Sequence, residues 1–354
     1  MPDDRTTVTE LGTALGTLGH DNLSRALGRR PDQLRVGREI WDRMEAIHRD
    51  GRFADEFRMA FENGRAMLAA PDGLGGRVPR IIEWTGGRRA PGDEVAPIDL
   101  RIDHVYLISC KYESDILANT SPARLFEGLL AVSGHWDRAD WFEAVANDEL
   151  LALYKGCLAA TGLTDFPPAP GLCSNDQHRR LRDALAGRSY PNEETKAAYV
   201  RLCAAVSRES ALRWERRMDG ADIGPELMVW RLLRIGSAPY FVLGIDRRTG
   251  QPVRYRISSP WDWRDEFEVV DFDIAAGAAG QPRVDWRCRY RARRPEPRRQ
   301  FVVAGHVEIR WSHGRFAHPP EAKIYLDTPM DELPGYHRLS GGDEPQLRLW
   351  STTP

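Results

Sequence analysis

Pro97-Ile-Asp99-Leu-Arg-Ile-Asp103-His104-Val105-Tyr-Leu-Ile-Ser109-Cys110-Lys111 reads as two short strands around a tight turn. Residues 97 to 102 and 105 to 112 are rich in β-branched and aromatic residues, and Asp103-His104 supplies the reversal. Side chains alternate along a strand, so Ser109 and Lys111 share one face while Cys110 takes the other. Across the hairpin, Asp99 falls within a residue or two of their strand neighbours. Lys111 stands out further by composition. The chain holds four lysines, at 111, 155, 196 and 323, against 46 arginines. An ammonium is a compact charge whose pKa responds to burial, whereas guanidinium is a wide, permanently charged fork. A lysine kept in this background marks a position that arginine does not fill.

Working outward, residues 55 to 69 carry apolar residues at helical spacing and end before Pro71-Asp72-Gly73. A weaker, glycine-interrupted helix precedes them at 9 to 28. Residues 80 to 84 form a first strand candidate, and Ser121-Pro122 caps a helix through Leu130. Residues 136 to 230 read as helical, with segments at 141–160, 175–186 and 193–218. Strand patterns follow at 240–244, 253–257, 266–272, 284–290, 301–310 and 322–326. This order predicts an α+β fold, or α/β with an elaborated tail. Three regions are expected: a core over 1–135 with N-terminal helices, a helical insertion over 136–235, and a β-rich region over 236–354.

Composition excludes several classes. No apolar run reaches the roughly 18 residues of a membrane span, and Met1-Pro-Asp-Asp-Arg5 lacks a signal pattern. Five scattered cysteines without a Cys-x-x-Cys pair argue against a zinc site or disulfide framework and fit a cytoplasmic protein. The net charge of −2 shows no global preference for an anionic partner. Charge is segregated locally, however. Between Arg283 and Arg299 lie eight arginines and two acids.

The hairpin, with Asp99 on one strand and Ser109-Cys110-Lys111 closing an apolar strand, resembles the PD-(D/E)xK nuclease superfamily in a Ser-x-Lys variant. The resemblance covers about residues 50 to 135 and implies a restriction-endonuclease-like mixed sheet flanked by helices, with residues 240–244 as a fourth core strand. It implies a Mg²⁺-dependent (or Mn²⁺-dependent) DNA endonuclease acting on duplex DNA, with a role in restriction or phage defence and a homodimer as one expected assembly. Asp99 and the Cys110 backbone carbonyl would hold the metal, Lys111 would activate water, and Ser109 would support the site. Ser109 stands where the superfamily carries an acid, so a second carboxylate must come from elsewhere. Glu62, on the helix before the hairpin, is the first candidate; Glu83 and Glu113 are alternatives. Two other classes fit the same residues: a non-catalytic nucleic-acid-binding or assembly protein on a nuclease-like fold, and an RNA-cleaving toxin.

A literal Glu-x-Lys occurs at Glu321-Ala-Lys323, but it follows His318-Pro-Pro and precedes its apolar residues, the reverse of the expected context. It is a competing site with recognition or structure as its expected role. Arg287, Arg289, Arg291 and Arg293 would project from one strand face; with Arg294 and Tyr290 they form a candidate nucleic-acid surface.

Overall fold

The computed structural model describes residues 3–86, 98–112, 116–128, 140–187, 190–220, 224–277, 280–294 and 299–340. Its first elements are α1 (Asp4–Gly16), α2 (Leu23–Arg29), β1 (Leu34–Arg35), α3 (Arg38–Arg49), α4 (Ala54–Ala69), β2 (Ile82–Trp84), β3 (Leu100–Ile102) and β4 (Tyr106–Tyr112). Then come β5 (Ile116–Thr120), α5 (Pro122–Phe126), α6 (Trp141–Thr161), α7 (Asn175–Ala184), α8 (Glu193–Asp219) and α9 (Gly224–Leu232). The chain continues through β6 (Tyr240–Ile245), β7 (Pro252–Ile257), α10 (Pro260–Glu266), β8 (Phe267–Gly277), β9 (Arg283–Ala292), β10 (Gln300–Arg310), β11 (Glu321–Leu326) and β12 (Tyr336–Arg338). The class is α+β, with one mixed and one antiparallel sheet.

Two compact units result, in place of the three consecutive regions expected. The first comprises Met1–Asp115, Leu233–Asp265 and Met330–Pro354; the second comprises Ile116–Leu232 and Glu266–Pro329. Strand pairing explains the difference. The return of β6 beside β4 takes residues 233 to 265 into the first unit. The middle helices instead pack on β8 and β9, so the helical stretch and the arginine-rich strands share the second unit.

In the first unit the seven-stranded sheet has the order β1-β2-β3-β4-β6-β7-β12. Strands β2, β3 and β4 form an antiparallel meander, and β6 joins β4 in parallel with Lys111 opposite Gly244. The strand expected at 240–244 forms, and it pairs with β4. The hairpin turn forms at Asp103 and His104, both at positive φ (48° and 60°). The Asp103 carboxylate pins the turn by accepting from the N–H groups of Arg80 and Ile81.

One sheet face is covered by α1, α3 and α4 through a core that includes Leu11, Leu15, Met44, Phe57, Ile108 and Leu243. Asp3 caps α1 by accepting from the Thr6 N–H at 2.7 Å. The glycines that weaken the helical pattern of α1 are its packing surface. A methyl at Gly16 would lie 2.1 Å from the Phe61 carbonyl oxygen, and one at Gly64 would lie 2.1 Å from that of Thr13. This close crossing of α1 over α4 sets the height of α1 above the sheet.

The second unit's sheet runs β5-β11-β10-β9-β8. Val284, Trp286, Cys288 and Tyr290 of β9 and Val303, Val307 and Ile309 of β10 are buried on one face. Helices α6 and α8 supply Phe142, Leu150, Leu202 and Trp214 to the interior. Trp141, Trp214 and Trp230 are buried; Trp136 lies outside the described residues.

Candidate active site

Asp99 sits one residue ahead of β3 and extends its ladder. Its N–H donates to the Ile108 carbonyl (2.8 Å) and its carbonyl accepts from the Thr85 N–H (3.0 Å). Its Oδ2 accepts from the Cys110 N–H at 2.6 Å, a charge-assisted bond that fixes the carboxylate against β4. Burial raises the Asp99 pKa, while the Cys110 N–H, the Lys111 ammonium and the Arg234 guanidinium favour its charged form. Ser109 acts in the same direction by proximity. Its own hydroxyl is fully buried and makes no hydrogen bond among the described residues.

A second carboxylate, Glu10 on α1, feels the charges of Asp99 and Lys111. It is 6% exposed and accepts from the Trp84 indole N–H across the sheet. Burial first, and then the Asp99 charge, push its pKa up to about 8, against the opposing pull of Trp84 and Lys111. A buried carboxylate, Glu10, and a half-buried one, Asp99, therefore lie within electrostatic reach of each other, with one ammonium acting on both. Thr13, one helical turn after Glu10, ties α1 to β4 through the Tyr112 hydroxyl at 2.7 Å.

Sequence reasoning places the second acid differently. Glu62 is half-exposed on α4 and ion-pairs with Arg58 at 3.6 Å. Its chain neighbour Asn63 points inward instead, donating to the Gly244 carbonyl at 2.8 Å and accepting from Arg254 at 2.8 Å. Glu83 is exposed and bonds His104 at 3.1 Å, because strand alternation sends Trp84, not Glu83, toward Glu10. Glu113 lies outside the described residues. The contact that Cys110 makes to Asp99 runs through its N–H, not its carbonyl. Its thiol sits beside Thr13, where burial and the two carboxylates push its pKa up.

Arg234 is the other residue that the sequence did not single out. It is 6% exposed, has a positive φ of 57°, and its carbonyl accepts from the Tyr240 hydroxyl at 3.0 Å. One arginine among 46 carries no compositional signal.

These ionisations make stability depend on pH. Glu10 ionises near 4.5 when unfolded and near 8 when folded, so between those values the native chain holds a proton that the unfolded chain has lost. Stability falls as pH rises through that window and levels above about 8, a loss on the order of a few kcal/mol. Asp99, also raised, contributes with the same sign. Thermal melts from pH 5 to 9 without divalent metal are expected to show this decline; a flat profile would remove the buried-pair description.

The competing triplet forms a separate arrangement in the second unit. Glu321 opens β11, accepts from the Ser312 hydroxyl, and pairs with Lys323 at 3.5 Å and with His313 at 3.7 Å. No group of three or more His, Cys, Asp or Glu suited to a metal occurs among the described residues.

Arg287, Arg289 and Arg291 form a row on β9, which ends one residue before Arg293, but this row is not a bare cationic face. In register, Glu268, Asp271 and Asp273 of β8 stand opposite Arg291, Arg289 and Arg287. Arg291 bonds Glu268 at 2.5 Å, Arg289 bonds Asp271, and Arg293 pairs with Glu268 at 3.7 Å. Arg294 is exposed. Tyr290 is buried, stacked on Phe301 and edge-on to Phe267, and so presents no face to a base.

No helix among the described residues is long and apolar enough to cross a membrane. The chain matches no family model, no curated protein sequence and no solved structure.

Proposed function

We propose that the protein is a metal-dependent endonuclease that hydrolyses phosphodiester bonds of duplex DNA on a restriction-endonuclease-like core. The observation that carries this reading is that buried Glu10 on α1 is raised by the charge of Asp99 while Lys111 favours the charged form of both, with Asp99 fixed to β4 by the Cys110 N–H. The order of elements supports it: a helix bearing an acid, an antiparallel three-stranded meander, and a fourth strand parallel to the third.

The donor set suits a hard divalent cation. The charge of Asp99 raises the cost of ionising buried Glu10, a cost that Mg²⁺ or Mn²⁺, which favours oxygen ligands and retains several waters, would relieve. Glu10, Asp99 and the Cys110 carbonyl would hold it. When bound, the metal supplies Lewis acidity toward the phosphate and lowers the pKa of water. The chain supplies the rest. Lys111 orients the attacking water and offsets charge on the phosphate oxygens as the phosphorus becomes five-coordinate. The Cys110 N–H fixes Asp99, and Arg234 favours its charged form. A water oxygen bonds to phosphorus, the ester P–O bond breaks, and the departing oxygen takes up a proton.

The test is incubation of plasmid with Mg²⁺. Wild type is expected to nick or linearise it, whereas Asp99→Ala and Lys111→Ala lose about 100-fold or more of the rate, as expected for removal of a transition-state contact. Lys111→Arg is expected to fail as well, because guanidinium does not reproduce a compact ammonium in a buried site. Equal cleavage by all four proteins would remove the site. A parallel incubation with RNA of the same sequence separates the DNA enzyme from an RNA-cleaving toxin.

A further inference from the structure

The second unit contains a cavity of about 670 Å³ that the proposed nuclease centre does not use. Its walls include Arg182, Arg310, Arg315, Lys323, Tyr190 and Trp311. Ser312 and Gln281 add further polar groups, and Asp183 is the one carboxylate on the wall among the described residues. The lining is therefore rich in hydrogen-bond donors and poor in anionic acceptors. Two donors are buried without a hydrogen-bond partner among the described residues: the Tyr190 hydroxyl and the Trp311 indole N–H. Buried donors of this kind are rare in native structures unless a ligand or water completes them.

The cations are held in place by neighbouring groups. Arg310 is braced by Glu308 at 3.1 Å, Lys323 by Glu321 at 3.5 Å, and Arg182 by Asp183 at 2.8 Å. Arg315 lies 4.0 Å over the Tyr190 ring and donates to the Leu185 carbonyl at 3.1 Å. Cations fixed in advance lose little freedom when an anion arrives. Lys323 matters most, since it is one of only four lysines and its side chain is 13% exposed. A three-donor ammonium beside guanidinium forks suits a tetrahedral oxyanion bearing several acceptors. The volume lies within the range of small-molecule sites, about 300 to 1,000 Å³.

We infer that this cavity binds the phosphate group of a nucleotide, with Lys323, Arg310 and Arg182 as its anion contacts. The nucleotide is either free in solution or part of a nucleic-acid strand, and the phosphate chemistry is common to both. The inference stands apart from the nuclease reading, because the cavity lies within the second unit and its test reads binding, not cleavage.

The experiment is calorimetric titration of the full chain, without divalent metal, with inorganic phosphate, adenosine 5′-monophosphate, adenosine and a twelve-nucleotide single-stranded oligothymidylate. Adenosine monophosphate or the oligonucleotide is expected to bind, adenosine not to bind, and Lys323→Gln to weaken binding about tenfold, the scale of one charge-assisted contact. Binding of the mononucleotide alone identifies a free nucleotide as the ligand; binding of the oligonucleotide alone identifies a strand. Thermal melts check that the variant is folded. Should it not be, Arg182→Gln, on a half-exposed side chain, carries the same expectation. Binding of adenosine as tight as that of its monophosphate, no binding of any phosphate-bearing probe at millimolar concentration, or unchanged binding by the folded variant would overturn the inference.

Discussion

Glu10→Gln is expected to abolish the proposed Mg²⁺-dependent cleavage, with a loss of at least about 100-fold, and yet to leave the metal-free protein at least as stable as wild type at pH 8. The two effects separate function from folding. Glutamine keeps the shape of the side chain and an oxygen to accept from the Trp84 indole, so the local packing is preserved. It removes a negative charge that the proposed metal centre would need. It also removes a group whose pKa is raised to about 8 by burial and by Asp99, and with it the decline of stability between pH 4.5 and 8. The stabilisation that Mg²⁺ confers in a thermal melt should vanish together with cleavage. Glu62→Gln and Glu83→Gln, on exposed carboxylates engaged with Arg58 and His104, should leave both unchanged. Undiminished cleavage by Glu10→Gln would return the second acid to those positions or to Glu113.

The second large effect is expected at Gly244→Ala. A methyl there would sit 1.7 Å from the Lys111 carbonyl oxygen and 2.4 Å from its carbonyl carbon. Both are backbone atoms, so no side chain can turn aside and the β4–β6 pair must separate. Overpacking of this kind costs about 3 kcal/mol or more, which lowers the melting temperature by about 5 to 10 °C. The displacement falls on the residue that carries Lys111, so cleavage should fall further than stability. Gly28→Ala is the control, since a methyl there meets nothing within 4 Å. A variant at 244 with wild-type melting and cleavage would show that the close approach is not required.

The hairpin was legible in the sequence because its signals are local. Apolar alternation, the Asp103-His104 turn and the position of Asp99 need no distant partner, and the strand at 240–244 was marked by its unbroken apolar run. The second acid was not legible, for a physical reason. Gly12 and Gly16 lower helix propensity in α1, and a propensity reading discounts the segment. Their value lies in letting α1 cross α4 at backbone contact, which no local pattern reports. Arg234 was hidden by the abundance of arginine. The row on β9 was read correctly in spacing and incompletely in charge. A register shift between Val269 and Asp271 places Glu268 and Asp271 on one face, opposite Arg291 and Arg289. Without that bulge, three residues of separation would put the two acids on opposite faces. Exposed pairs of this kind contribute little to stability but cancel much of the local field.

The position of β6 in the chain sets the timetable of the protein's synthesis. The strand that flanks Lys111 is encoded after residues 116 to 232, most of the second unit. A ribosome that has delivered Glu10, Asp99 and Lys111 has not yet delivered Gly244, so β4 stands as an open edge until more than a hundred further residues have emerged. Fragments released early carry all three charged groups but not the strand that seats Lys111. The seating of Lys111 against β6 thus waits until synthesis has passed residue 245.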